Sequence, residues 1–357
     1  MNGRVTQADV ARKAGVHVTT VSLALRNHPS LPLATRQHLQ TLAEEMGYRP
    51  DPHLRALMEY RTAGRRRLSM TTLAYVTHSG GEWDWKNSPA HAQFFAGANT
   101  RATQLGYQLQ HFWMGAPGLR QQRLSEVLYA RGIAGIVFAS QWAGDEASAQ
   151  FDWSHFSAVK IDFLPREPAL HNVTNDQRAI MQLAMRRVVA AGYRRIGCVM
   201  PQWWDESADL AWSAGFYAEQ AKLPTRDRIP ILAYPNTPLR PAPTSPLDMA
   251  VSVEKLDAWL RRHQPEVILS YAPFVRTPFA SLGVRIPRDL AYVDLYLEAS
   301  DGRTAGIRQN CDRVGEVAIE ILASQLQQHS YGLPRFPTTT LVEGTWFDGD
   351  TLPLRPR

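Results

Sequence analysis

The chain has 357 residues, 44% of them hydrophobic, enough for two or three domains with cores of their own. Its 39 Lys and Arg against 33 Asp and Glu leave a net charge of +6, and residues 1–67 hold eleven of the bases and five of the acids, so the whole surplus falls in the first fifth and the remainder is neutral. No apolar run approaches a membrane span, the N-terminus lacks the apolar segment of a secretory signal, and two cysteines, Cys198 and Cys311, are too few for a disulfide framework or a Cys-rich zinc site, so a cytoplasmic chain without metal or cofactor is expected.

Thr6 stands three residues before Asp9, the spacing of a capping box, and starts a first helix whose Val10 and Ala14 form a buried stripe. Gly15 supplies the permissive backbone of a turn. A second helix follows, with Val16, Val21 and Leu25 turned inward and Val18, Thr19, Thr20, Ser22 and Leu23 left outward. Two short helices joined in this way form a helix-turn-helix, whose second helix enters the DNA major groove. The same spacing suits any small three-helix domain, and the charge separates the two readings. A basic N-terminal segment calls for a polyanion, because phosphate contacts supply most non-specific nucleic-acid affinity.

A third helix is expected from near Leu33 to Met46, with Leu39, Leu42, Ala43 and Met46 on one face and Gly47 as its C-cap. Arg49-Pro50-Asp51-Pro52 breaks the pattern. The segment from His53 to Arg61 is helical but too short to be stable alone in water, and Arg65-Arg66-Arg67 closes this linker. From Thr71 the pattern alternates: strands at Thr71–Val76, Tyr107–Phe112, Gly135–Ala139, Ala158–Asp162, Arg195–Met200 and Glu266–Ser270; helices at Ala96–Leu105, Leu119–Ala130, Ala179–Ala190, Ser213–Ala221 and Val253–Arg262. Repeated βα units imply parallel sheets covered by helices, and the length suggests two lobes with a ligand cleft at the strand C-termini. The Pro-rich stretch from Leu223 to Asp248 reads as a strand and a long surface loop.

These residues resemble the lactose repressor (LacI/GalR) family of bacterial transcription regulators. The likeness runs from about Thr6 to Glu343, and its most specific block is Asp9-Val10-Ala11-Arg12-Lys13-Ala14-Gly15-Val16 with Thr20-Val21-Ser22 and Gly47-Tyr48-Arg49-Pro50. Gly132–Val137, Ala191–Gly197, Gly283–Asp289 and Ile307-Arg308-Gln309 match family patterns in the expected order. The resemblance implies an all-α headpiece over residues 1–50 and a hinge helix and linker over 51–69. Beyond them it implies a two-lobed, periplasmic-binding-protein-like α/β core with Rossmann-like parallel sheets. Residues 70–165 plus 296–325 are assigned to the N-terminal lobe, and 166–295 plus 326–348 to the C-terminal lobe. A homodimer on a palindromic double-stranded DNA operator, responding to a small molecule, is the implied function. Trp346–Arg357 carries no leucine heptad, so a dimer rather than a tetramer is expected.

Carried over by position, Val18, Thr19 and Leu23 are the base-edge readers, and Thr6, His17, Thr20, Ser22 and Asn27 the phosphate contacts. Two of the three readers are apolar, which suits thymine methyl contact. His17 stands where the family commonly has a serine N-cap. Leu57 matches the leucine that wedges into the central minor-groove step, with Leu54 and Arg55 beside it; paired wedges unstack and bend DNA. Trp85, Asp162, Trp204, Trp212, Tyr271 and Tyr296 are the candidate effector contacts. Trp212 takes the place of an arginine three residues before Gly215-Phe216, Tyr271 that of an asparagine and Tyr296 that of an aspartate. Trp83 and Trp203 add further rings. Aromatic faces stack on sugar C–H faces and on aromatic ligands, so a carbohydrate or glycoside is the expected class, with Asp162 accepting hydroxyl hydrogen bonds.

Two other functions compete with this one: a regulator whose pocket no longer answers to a metabolite, and a carbohydrate-acting enzyme. Against catalysis, the chain has no Gly-rich phosphate loop, nucleophile elbow or metal motif. Asp205-Glu206 are adjacent, which denies two carboxylates the separation that glycoside hydrolysis requires.

Overall fold

Thr6 and Asp9 close a reciprocal cap: the Thr6 hydroxyl accepts the Asp9 N–H at 3.3 Å, and the Asp9 carboxylate accepts the Thr6 N–H at 2.9 Å. In the computed structural model this cap starts α1 (Gln7–Ala14). The structure describes residues 5–25, 30–46, 48, 71–78, 80–118, 121–141, 151–163, 166–234 and 250–355. Gly15 ends α1 at φ 67°, a left-handed conformation that glycine adopts without steric cost, and its N–H returns to the Ala11 carbonyl.

Next come α2 (Val18–Leu25) and α3 (Leu33–Glu45). Val10, Ala11, Val21, Ala24, Leu39 and Ala43 are the buried centre of the headpiece, with Ala14, Val16, Leu25, Leu42 and Met46 packed against it. The inward set therefore agrees with the helical spacing, with Ala11 and Ala24 added. Gln40 Nε2 donates to the Ala24 carbonyl at 2.8 Å, and Gln7 Nε2 to the Tyr48 hydroxyl at 3.0 Å, which ties each end of the three-helix unit across its turns. The expected C-cap at Gly47 lies outside the described residues.

The core holds two six-stranded sheets. The first comprises β1 (Thr71–His78), β2 (Tyr107–Trp113), β3 (Gly135–Gln141), β4 (Ser157–Ile161), β5 (His171–Asn175) and β11 (Thr339–Val342), in the order β2-β1-β3-β4-β5-β11. The second comprises β6 (Ile196–Pro201), β7 (Leu232–Tyr234), β8 (Val267–Ser270), β9 (Ala291–Asp294), β10 (Gly306–Arg308) and β12 (Thr345–Phe347), in the order β7-β6-β8-β9-β10-β12. Both sheets thus repeat one doubly wound order, and in each the reversal after its first strand opens a crevice at the strand C-termini. β4, β6, β8 and β9 are buried along their whole length, because helices cover both faces of a parallel sheet; β2, at an edge, is only partly covered.

The lobe boundaries differ from those expected. β5 and β11 pair in the first sheet, although residues 166–295 and 326–348 were assigned to the other lobe, and β10 pairs in the second sheet, although 296–325 was assigned to the first. The reason is local: His171-Asn172-Val173-Thr174-Asn175 is short and polar, with no apolar run to mark it as a strand. The chain crosses between sheets after Asn175, Arg308 and Val342. Hydrogen bonds bind these crossings to one another: Asn175 Nδ2 donates to the Gln309 carbonyl, Asp176 N to Val342 O at 2.9 Å, and Asn310 Nδ2 to Glu343 O at 2.8 Å.

Helices α4 (Pro89–Gln104) and α5 (Gln121–Ala130) connect strands of the first sheet, α6 (Gln177–Ala190) enters the second lobe, and α11 (Cys311–Gln327) leads back. α4 begins at Pro89 rather than Ala96, since proline at the first helical position loses no hydrogen bond. A Cβ at Gly97 would lie 1.8 Å from the Asp312 carbonyl and one at Gly315 2.0 Å from that of Phe94, so α4 and α11 cross in backbone contact. In the second lobe, α7 (Gln202–Ser207), α8 (Ala211–Gln220), α9 (Val253–His263) and α10 (Ala272–Ser281) surround the sheet. Among the described residues no helix is long and apolar enough to cross a membrane, and no group of His, Cys, Asp or Glu is placed to hold a metal.

Candidate DNA-reading helix and effector site

α2 presents Val18 and Thr19 to solvent, with Thr20, Ser22 and Leu23 half-buried beside them. His17 caps this helix. Its carbonyl accepts the Thr20 N–H at 2.9 Å, and its Nδ1 stands 3.3 Å from the Thr19 N–H and 2.9 Å from the Thr19 hydroxyl. An imidazole nitrogen thus does what a serine hydroxyl does at an N-cap. Thr6, at the start of α1, is engaged in its own cap, with its backbone N–H bonded to Asp9. Asn27, Leu54, Arg55 and Leu57 lie outside the described residues.

Of the six candidate effector residues, two are packing residues. Trp85 is buried, with its ring 5.1 Å from Phe95, 5.5 Å from His111 and 6.0 Å from Tyr75 in the first lobe. Trp212, only 2% exposed, belongs to the second-lobe core and stacks on Trp204 at 4.4 Å and 15°. This corrects the expectation that Trp212 faces the ligand. Trp212 and Phe216 stand one helical turn apart on the buried side of α8, so the tryptophan turns into the core.

The other rings join in a line. Trp204 meets Phe274 edge-on at 5.2 Å, Phe274 meets Tyr271 at 5.3 Å, and Tyr271 meets Tyr296 at 5.4 Å, a sequence of T-shaped contacts favoured by the ring quadrupole. Asp162 follows β4 with φ 71°, a strained conformation that aspartate tolerates better than most residues, and accepts the Thr174 hydroxyl at 2.8 Å. His91 Nε2 stands 3.9 Å from its carboxylate, but burial brings the ring down to about 4, so the imidazole is neutral at pH 7 and no ion pair forms. Burial, opposed only by the Thr174 hydroxyl, pushes Asp162 up to about 6. Its charge reaches the buried Cys311 thiol, which lies beside the Tyr296 hydroxyl and donates to Asn175 Oδ1 at 3.4 Å. Cys311 thus links Asn175, the neighbour of the Thr174 that bonds Asp162, to the Tyr296 side of the second lobe.

Asp294, His91, Cys311 and Asn175 were not singled out as site residues from the sequence. Asp294, at the end of β9, accepts from the Tyr296 N–H at 2.8 Å, the Tyr292 hydroxyl at 3.1 Å and the Ala272 N–H at 3.3 Å, and burial nonetheless raises it to about 7. A separate cavity of about 320 Å³, lined by Phe163, Asn175, Gln177, Ala208, Asp209 and Leu341 among others, includes none of the six candidates. Asp205 accepts the Ser213 N–H at 3.0 Å and Glu206 the Gln202 side chain at 2.7 Å, so the adjacent acids serve local helix structure.

A pH dependence follows. His91 and His111, both lowered from 6.5 to about 4, bind protons in the unfolded chain across that window but not in the folded one, so they reduce stability as pH falls. Asp294 and Asp162, raised from 3.8 to about 7 and about 6, hold protons in the folded state that the unfolded chain has released, so they add stability as pH falls through the same range. In Asp294→Asn one of the opposing groups is gone. Its melting temperature should drop more steeply than the wild type's between pH 6.5 and 4.5 in scanning fluorimetry; equal slopes would mean that Asp294 holds no proton there.

Residues 6–51 match the family described as bacterial regulatory proteins, lacI family. The match covers the headpiece, from the Thr6 cap through the end of α3. HTH-type transcriptional regulator reg1 of Streptomyces lividans is 28% identical over 198 residues, 54% of this chain and 52% of its own. The chain spans about half the length of the curated relatives it matches. Among solved structures, the transcriptional regulator CelR in complex with cellobiose is similar with a TM-score of 0.58 at 18% identity, over 98% of this chain and 100% of that one. The lac repressor dimer bound to operator and the anti-inducer ONPF gives 0.54 at 19%, again over 98% and 100%. These likenesses show the fold: a helix-turn-helix headpiece followed by a two-lobed, periplasmic-binding-protein-like α/β core.

Proposed function

We propose that the protein is a sequence-specific transcription regulator, acting as a repressor, that binds a palindromic operator as a homodimer and is controlled by a small, sugar-like effector between its lobes. The observation that carries this reading is the headpiece, matched to the lacI family model, with its capped α2 exposing Val18 and Thr19, in the first fifth of the chain, where the net positive surplus falls. Val18, Thr19 and Leu23 read bases; Thr6, His17, Thr20, Ser22 and Asn27 hold phosphates. Asp162, Trp204, Tyr271 and Tyr296 contact the effector, and the lobes move about the hydrogen-bonded crossings. A second reading, DNA binding indifferent to metabolites, is favoured by the burial of Trp212 where relatives place an arginine.

The hinge supplies the test. Leu57→Ala should weaken specific operator binding by about 1–3 kcal/mol and leave non-specific binding and its salt slope nearly unchanged, because base unstacking is needed only in the bent complex. Fluorescence anisotropy on operator and scrambled duplexes at matched salt measures both. Parallel losses on the two duplexes would assign Leu57 to folding or dimerisation instead.

A further inference from the structure

The effector site is acidic. A third of the Asp162 side chain remains open, its hydrogen-bond partner is the neutral Thr174 hydroxyl, and its imidazole neighbour is uncharged. Among the described residues no lysine or arginine draws its carboxyl downward. At the ring pair, burial first and then Glu298 and Asp294 push Tyr271 up to about 12, against one cation, Arg276 on the exposed side of α10. The Tyr296 hydroxyl is buried and makes no hydrogen bond of good geometry, and the half-buried rings of Tyr271 and Trp204 stand in the same line.

We propose that the effector carries a protonated amine, with Asp162 receiving the ammonium and Tyr271, Tyr296 and Trp204 forming the wall that faces its cationic or flat side. The proposal rests on the assignment of this place as the effector site. A half-buried carboxylate without a counter-charge gains from a ligand that brings one, through a charge-assisted hydrogen bond stronger than a neutral hydroxyl provides. Aromatic faces add attraction for a cation and none for an anion. An anionic ligand would meet the carboxylate of Asp162, with the exposed Glu298 beside the rings. Amine-bearing sugars and amine-bearing aryl compounds fit this chemistry; sugar phosphates and acids do not.

Three probes on one frame test it with the full-length protein: benzylamine, benzyl alcohol and benzoate, titrated by calorimetry and followed by thermal shift. Benzylamine should bind at least about tenfold more tightly than benzyl alcohol, and benzoate least. Asp162→Asn, which keeps a side chain tolerant of the positive φ, should bring benzylamine and benzyl alcohol to equal affinity. Any other order in the wild type, no binding by any of the three, or an unchanged preference in a folded Asp162→Asn would overturn the proposal. Should that variant fail to fold, the wild-type order decides alone. DNA binding by the unliganded protein is measured in parallel: its loss would remove the regulator reading, whereas intact DNA binding with the wrong probe order removes only the amine.

Discussion

Trp212→Ala is expected to destabilise the core by about 3–5 kcal/mol, the range for removing a large buried aromatic side chain. The ring is 2% exposed and lies flat against Trp204 at 4.4 Å, so its loss opens a cavity that α8 cannot close without disturbing its contact with α6. Trp204 in turn touches Phe274, and Phe274 touches Tyr271. Effector affinity should therefore fall as well, through disordered packing rather than a lost contact. Urea unfolding followed by far-UV circular dichroism should show the core transition at lower denaturant, with operator binding at low temperature retained. A variant of unchanged stability that has lost only effector binding would return Trp212 to the ligand.

The second large effect is on DNA. A fragment beginning at Ser69 should keep the core fold and lose operator binding altogether, since α2 and the whole net positive charge lie before that point. The headpiece centre of Val10, Val21, Leu39 and Ala43 is a cluster of its own, and the core clusters around Val76 and Val199 contain none of its residues. Each part thus has what it needs to fold. Anisotropy at matched salt checks the loss. Equal affinity of fragment and full chain would place the DNA site in the core.

The headpiece was legible because its signals are local. The Thr6–Asp9 cap, the Gly15 turn and the inward positions of Val10, Val21 and Leu39 depend on spacing alone, and each appears in the structure. The buried strands β1, β3, β4, β6 and β8 were legible for a related reason, as apolar runs bounded by turn residues. What escaped depends on the other lobe. β5 is polar because its ends serve the crossings, where Asn175 bonds to Gln309 and to Cys311, so its composition resembles a loop. α10 contains Pro273 and Pro278 and gives no clean helical pattern. The effector residues were half legible. Position pointed to Tyr271 and Tyr296 and the loop tryptophans to Trp204, rings that one line of contacts joins through Phe274, but neither signal could tell a ring that lines the site from one that supports it. For Trp212 the signal was present in Phe216 one turn later, the mark of a buried helix face. Asp294 left no such trace, because three donors from two elements define it only once the strands are aligned.

The central claim, a dimeric reader of palindromic DNA, is tested most directly by selecting duplexes from a randomised library with the full-length protein and sequencing those retained. The result expected is a two-fold symmetric consensus, with preferences within each half-site that shift in Val18→Ala and Leu23→Ala and vanish with the fragment beginning at Ser69. Retention of duplexes without any shared sequence, or of a single asymmetric half-site, would contradict it.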